Sequence, residues 1–194
     1  MTAVWRRARA LVARLTTVQW CTCGVWIVCL VLACGWVSSP NAAARITLKS
    51  RLSTAGLGPL KIGMTASQAE RAIGYPLDLN RNAGGPDSPC FTATVSPNRY
   101  RVFVLGTGFR IASIYVQKRS VATRSGIRVG DSVAKLRKTY GAQLIAKPQF
   151  YAPTQLQYEI HDGNRKVIFS TDNSKVTSMT AGRMPEVDYV EGCA

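Results

Sequence analysis

Apolar positions along the chain keep two rhythms. Over residues 66–73 (ASQAERAI), Ala66, Ala69, Ala72 and Ile73 recur at helical spacing and form a narrow stripe. Thr65 precedes it with Gln68 three residues on, the capping-box spacing in which two side chains satisfy otherwise unpaired backbone donors. Gly74 closes the segment. The design returns 67 positions later: Ser132 caps, Val133, Leu136 and Tyr140 make the stripe, and Gly141 closes it. Lys135 stands where Gln68 stood, so half of the box is kept. Gly63 aligns with Gly130. Helices this short are not stable alone in water, so each must pack on something.

The second rhythm supplies the sheet. After the first helix come CFTATV (90–95), YRVFVL (100–105) and RIASIYV (110–116), with turns at Ser96-Pro97-Asn98 and Gly106-Thr107-Gly108. After the second come LQYEIH (156–161), KVIFS (166–170) and KVTSMTA (175–181), with turns at Asp162-Gly163-Asn164 and Asp172-Asn173-Ser174. Both series read as antiparallel meanders. Phe109 to Ile114 also line up with Ser174 to Met179, and duplication explains this economically. Ile46 to Leu48 is read as a leading strand and Val187 to Val190 as a closing one. Segment 75–89 (YPLDLNRNAGGPDSP) reads as a surface excursion, and 118–128 as the junction. The predicted fold is α+β: a tandem pair of short-helix plus antiparallel β-meander units over 45–119 and 120–194, preceded by an N-terminal hydrophobic helix.

Residues 1–44 are that leader. They hold Arg6, Arg7, Arg9 and Arg14, no acid, and an apolar run from Trp20 to Val37. The run ends at Pro40, and Ala42, Ala43 and Ala44 follow, matching the small-x-small rule for signal peptidase cleavage at Ala44. A retained anchor, with residues 45–194 outside, is the alternative, since this run of eighteen residues, in which Thr22 is the only clearly polar side chain, nearly spans a bilayer. A third route is lipidation of Cys34, because Val31 to Gly35 resembles a lipobox. The chain is therefore expected to be secreted or extracytoplasmic, touching membrane only if its leader is retained.

All four Trp and four of the six Cys fall in the leader. Cys90 and Cys193 remain, a pair in a chain bound for an oxidising compartment, and are expected to form a disulfide.

Charge then narrows the partners. The leader holds four of 25 bases and none of 10 acids, leaving 21 against 10, a net charge of +11. Such an excess attracts anionic partners. Lys135, Arg137 and Lys138 cluster on the second helix, and Lys118, Arg119, Arg124 and Arg128 crowd the junction before it. These seven make a candidate basic patch for an anionic envelope component or an acidic protein. No zinc-finger spacing, RNP aromatics or basic zipper occurs, so no specific nucleic-acid partner is expected.

Catalytic chemistry finds little support. His161 is the only histidine and no HExxH occurs, so no metal set and no cofactor is expected. Bonding of Cys90 and Cys193 removes a thiol nucleophile. Glu186, Asp188 and Glu191 read as charges flanking the last strand rather than an acid/base pair. Gly106-Thr107-Gly108 continues into neither GxxxxGK[ST] nor GxGxxG and reads as a hairpin turn. Tyr140, Phe150 and Tyr151 read as core or rim aromatics.

The twofold order of capped helix, glycine and meander resembles the β-lactamase-inhibitor-like proteins and the small outer-membrane assembly lipoproteins of the SmpA/OmlA type. The nearest likeness is to uncharacterised exported actinobacterial proteins, through GLGPLKIGMT (56–65), TRSGIRVGDS (123–132) and the terminal EGC (191–193). The likeness covers most of residues 55–193. It implies one helix or a helix pair on a curved antiparallel sheet, used for protein contacts and not for chemistry. The inhibitors present aromatic and acidic side chains across the sheet, whereas this chain is strongly basic, so inhibition of that enzyme does not carry over. The expected function is that of an exported, non-catalytic binding module, acting through protein or anionic-surface contacts. An anchored structural component of the envelope is the alternative, with an enzyme of unrecognised type behind it.

Overall fold

Both short helices form where the caps predict them. In a computed structural model that describes residues 45–47, 49–80, 89–95 and 102–193, α1 spans Ala66–Ile73 and α2 spans Val133–Tyr140. Thr65 Oγ1 accepts from the Gln68 amide at 3.2 Å, and Gln68 Oε1 accepts from the Thr65 amide at 2.9 Å, which completes the capping box. Ser132 Oγ accepts from the Lys135 amide at 3.1 Å, the half that Lys135 permits. Ala69 and Ile73 of α1 and Val133 and Leu136 of α2 are buried. The leader, including Ala44 and Cys34, lies outside the described residues. Among the described residues no helix is long and apolar enough to cross a membrane.

The chain is mostly β-sheet. Four short strands, β1 (Arg51–Ser53), β2 (Gly56–Leu57), β3 (Leu60–Lys61) and β8 (Ala122–Thr123), form a small sheet in the order β3-β2-β1-β8. The large sheet is antiparallel and has eight strands. Its order is β4 (Leu77–Asn80), β5 (Phe91–Val95), β6 (Val102–Thr107), β7 (Arg110–Val116), β12 (Val176–Arg183), β11 (Arg165–Thr171), β10 (Leu156–Asp162) and β9 (Ile145–Pro148). The strands that follow α1 thus fill one side and those that follow α2 fill the other. They meet at a seam where Ile114 pairs with Ala181 and Val116 with Met179.

The two sides match rung for rung. Leu79, Ala93, Val104 and Ile114 stand opposite one another across β4 to β7. Ala146, Tyr158, Phe169 and Met179 do the same across β9 to β12. The helix approaches match too. Gly63 donates to Ile111 O at 2.8 Å and Ile111 donates to Met64 O at 2.8 Å, while Gly130 donates to Val176 O at 2.7 Å and Val176 donates to Asp131 O at 2.9 Å. Tyr115 pairs with Thr180 at the middle of the seam.

One apolar face of the large sheet carries the helices and the small sheet. Alternation sends Phe91, Ala93 and Val95 of β5 into a single core with Ile73, Leu136, Leu52, Leu57, Ile111 and Phe169. Gly106 makes room in it, because a Cβ there would lie 2.1 Å from the ring of Phe91, its cross-strand partner. Tyr140 is half-buried, stacks 5.5 Å from Phe169 and donates from its hydroxyl to Thr123 Oγ1.

Four expectations are corrected. Segment 75–89 contains strand β4, and β9 went unread, so each side contributes four strands. LDLN alternates apolar and polar residues but is four residues long beside a Gly-, Pro- and Asn-rich stretch, and IAKP ends in Pro and has no buried residue, as an edge strand allows. Ile46 is buried but lies in no strand, since the chain turns through Thr47 and Ser50 before β1. Val187 to Val190 is not a strand: Glu186–Asp188 forms a 3₁₀ turn and Tyr189 and Val190 are exposed. The junction 118–128 supplies β8, which pairs in parallel with β1 and buries Val121 and Ile127.

A candidate binding groove under the C-terminal segment

Strand alternation that sends apolar side chains to the helices sends hydroxyls the other way. Thr92 and Thr94 of β5, Ser113 and Tyr115 of β7, and Ser178 and Thr180 of β12 line the floor of a groove of about 1080 Å³ on that opposite face. Ile168, Ser170 and Gln157 extend the floor towards β10, and Asp78 and Asn80 towards β4.

Two walls rise from it. One is the C-terminal strap, in which Val187, Asp188, Tyr189 and Val190 line the groove. The other is the β9–β10 connection, with Phe150 and Tyr151. Phe150 is 75 % exposed and Tyr151 66 %, with their rings edge to face at 4.9 Å. Tyr189 is 48 % exposed. Three exposed rings thus stand along the two walls of the groove. The Tyr151 hydroxyl donates to Glu191 and joins the two walls, and the hydrogen bond to that carboxylate holds the phenol pKa above its ordinary value.

The strap is fixed at several points. Arg183 donates to Glu186 Oε1 at 2.6 Å, Thr107 donates to the same oxygen at 3.0 Å, and Arg183 donates to Thr107 at 2.8 Å. Burial alone would raise the Glu186 pKa, but the hydrogen bonds from Arg183 and Thr107 keep it below its ordinary value. Val187 reaches down onto Gly182, where a Cβ would meet Ala112 O, Ser113 Cβ and Val187 Cβ, each at 2.8 Å. At the far end the Cys193 and Cys90 sulfurs are 2.09 Å apart, as in a disulfide, with Cα atoms 5.7 Å apart.

Beneath the strap lies a charge cluster that sequence reading missed. Lys166, 2 % exposed, stands between Asp188 Oδ1 at 2.5 Å and Glu159 Oε1 at 3.1 Å. Glu159 is 0 % exposed and also takes Lys147 at 3.0 Å and His161 Nε2 at 2.8 Å. Burial opposes its charge, but hydrogen bonds from His161, Lys147 and Lys166 prevail and hold its pKa at about 2. His161, the lone histidine, is thereby a partner of a buried carboxylate.

The seven residues of the basic patch have different roles. Asp131, which is buried, pairs with Lys135 at 2.8 Å and Arg119 at 3.7 Å. Burial raises its pKa, and Lys135 and the Arg128 amide bring it below its ordinary value. The Arg128 guanidinium donates to the carbonyls of Arg119 and Ser120. Arg137 donates to the Tyr158 hydroxyl at 2.9 Å and lies 5.4 Å from that ring. Lys118, Arg124 and Lys138 are exposed. Four of the patch residues thus hold the junction and α2 to the body. None of the seven lines the groove.

The floor was hidden by topology. Its Ser and Thr positions alternate visibly within each strand, but nothing local states that β7 and β12 are neighbours.

No protein-family pattern and no curated protein sequence matches the chain. The solved structures similar to it include the following two. The uncharacterized protein YfeY from Escherichia coli aligns at 16 % identity and a TM-score of 0.46, over 69 % of this chain and 99 % of that one. An extracellular protein containing an SCP domain from Bacillus anthracis aligns at 9 % identity and a TM-score of 0.43, over 63 % of this chain and 44 % of that one. This chain therefore spans less than half the length of the second protein.

Proposed function

We propose that the protein is an exported, non-catalytic binding module that works through the groove between its C-terminal strap and the β9–β10 connection. The observation that carries this reading is the combination at one place of a hydroxyl floor, a volume of about 1080 Å³ and exposed Phe150, Tyr151 and Tyr189. Ligand sites are concave, with apolar and aromatic walls and a few convergent polar groups. The apolar leader and the pairing of Cys90 with Cys193 support action outside the cytoplasm. The matched rungs and matched helix bonds support an origin by duplication of one helix-plus-meander unit, in the manner of the β-lactamase-inhibitor-like proteins.

Retention on envelope material tests the reading. The protein purified after export is passed over insoluble cell-envelope fractions, beside F150A/Y151A and beside a variant with Lys118, Arg124 and Lys138 changed to Glu. Loss of retention in F150A/Y151A supports the groove. Loss only in the charge-reversed variant, and only at low salt, transfers the function to the basic surface.

A further inference from the structure

We propose that the groove takes a neutral polyhydroxylated ligand, a segment of a glycan chain, seated on the Ser/Thr floor with its ring faces against Phe150, Tyr151 and Tyr189. This rests on the groove reading given above and names its ligand class.

Charge excludes the obvious alternative first. Outside the leader the chain carries a net +11, yet the described residues that line the groove include Asp78 and Asp188 and no Lys or Arg. Of the cations beside it, Lys166 is 2 % exposed and held between Glu159 and Asp188, and Lys147, half exposed, is paired with Glu159 at 3.0 Å. Among the described lining residues a phosphate or carboxylate would meet two carboxylates and no Lys or Arg, at a cost that rises as water is displaced. The anionic partners suggested by composition belong on another surface.

The hydroxyl rows favour a polyol over an acyl chain, even though Leu105, Ile168, Val187 and Val190 add apolar surface between them. Thr92, Thr94, Ser170 and Thr180 carry half-buried hydroxyls along the floor, with Ser113 and Ser178 buried between them, and covering the four with hydrocarbon would remove their water without replacing its hydrogen bonds. A polyol returns those bonds, because each hydroxyl both donates and accepts. Asp78, Asn80 and Gln157 add the planar acceptors and donors that fix a sugar's orientation.

The rim supplies the rest. Pyranose faces present C–H groups of slight positive character, which match the negative face of an aromatic ring. Phe150 and Tyr151 stand on one wall and Tyr189 on the other, so a chain lying along the floor meets a ring on each side. Tyr115 and Thr180, paired at the middle of the seam, lie beneath its centre.

Calorimetric titration of the exported protein with maltohexaose, cellohexaose and chitohexaose tests the assignment, beside hexagalacturonate and a neutral hexapeptide. At least one neutral hexasaccharide is expected to bind with a Kd below millimolar. The variant F150A/Y151A should weaken it at least tenfold, and T92V/T94V, placed on the floor and not the rim, should weaken it independently. Charge reversal of Lys118, Arg124 and Lys138 should leave it unchanged. Absence of binding by all three sugars, tighter binding of hexagalacturonate or of the hexapeptide, or indifference to F150A/Y151A each overturns the assignment. If no sugar binds while F150A/Y151A still loses envelope retention, the ligand class fails and the groove reading stands. If retention is also unchanged, both fall.

Discussion

Asp188 of the strap pairs at 2.5 Å with Lys166, a lysine that the sheet and the strap together remove from water. The strap is therefore part of the solvation of a buried charge, and its position on the groove is tied to the integrity of the sheet.

Removing that lysine should be costly. Lys166→Ala leaves Glu159 buried with a partner missing and should destabilise the fold by about 3–5 kcal/mol, read from urea unfolding. The double variant Lys166→Met with Glu159→Gln should recover part of the loss. Asp188→Asn, at a carboxylate 47 % exposed, should cost less than about 1 kcal/mol.

Acid should weaken the protein through Glu159. Its folded pKa of about 2 lies below its ordinary 4.5, so between those values the unfolded state binds more protons than the native one. The stability it contributes is complete above pH 4.5 and is lost as pH falls towards 2. Urea midpoints measured from pH 2 to 6 should rise with pH, and Glu159→Gln should flatten the slope. Asp131 and Glu186, also lowered, keep the slope above zero in that variant.

Reduction should loosen the strap and the whole fold. Cys90 and Cys193 are 103 residues apart, and the loop-entropy model assigns a bridge of about that span roughly 4–5 kcal/mol, with measured values often lower. The melting temperature should fall with reductant, and the C90S/C193S variant should melt at the reduced value. Alkylation of two thiols in the unreduced exported protein would falsify the bond.

Gly182 tests the seat of the strap. Gly182→Ala places a methyl 2.8 Å from Val187 Cβ and from Ala112 O, and should cost about 1–3 kcal/mol as overpacking. Because the strap forms one wall, ligand affinity should fall with stability. Gly182→Ala combined with Val187→Ala should restore neither, because the Val187 Cβ, Ala112 O and Ser113 Cβ that the methyl meets all remain.

Local chemistry was legible and neighbourhood was not. Thr65 with Gln68 and Ser132 with Lys135 state where the helices begin, and the alternation in RIASIYV states a strand that forms over those same residues. Edge strands β4 and β9 escaped because each is four residues long, β4 within a stretch rich in Gly, Pro and Asn and β9 closing on Pro148. Val187 to Val190 read as a strand from its residue types, whereas Pro185 and the anchoring of Glu186 and Asp188 turn it into a 3₁₀ turn and strap. The basic cluster was visible as composition, but the pairing of Asp131 with two of its members depends on how the junction folds. The groove needed the order of the strands, which long-range pairing decides.

The β7–β12 junction has one more implication, for how the protein could be divided. A polypeptide severed between Lys118 and Arg128, and also reduced at Cys90–Cys193, would yield two fragments, each with an unpaired strand where its sibling used to be. Since Ile114 with Ala181 and Met179 with Val116 are interchangeable contacts under exchange of the fragments, either piece offers a ready template for a copy of itself. Covalent continuity between them is what keeps this self-complementary surface occupied within a single molecule.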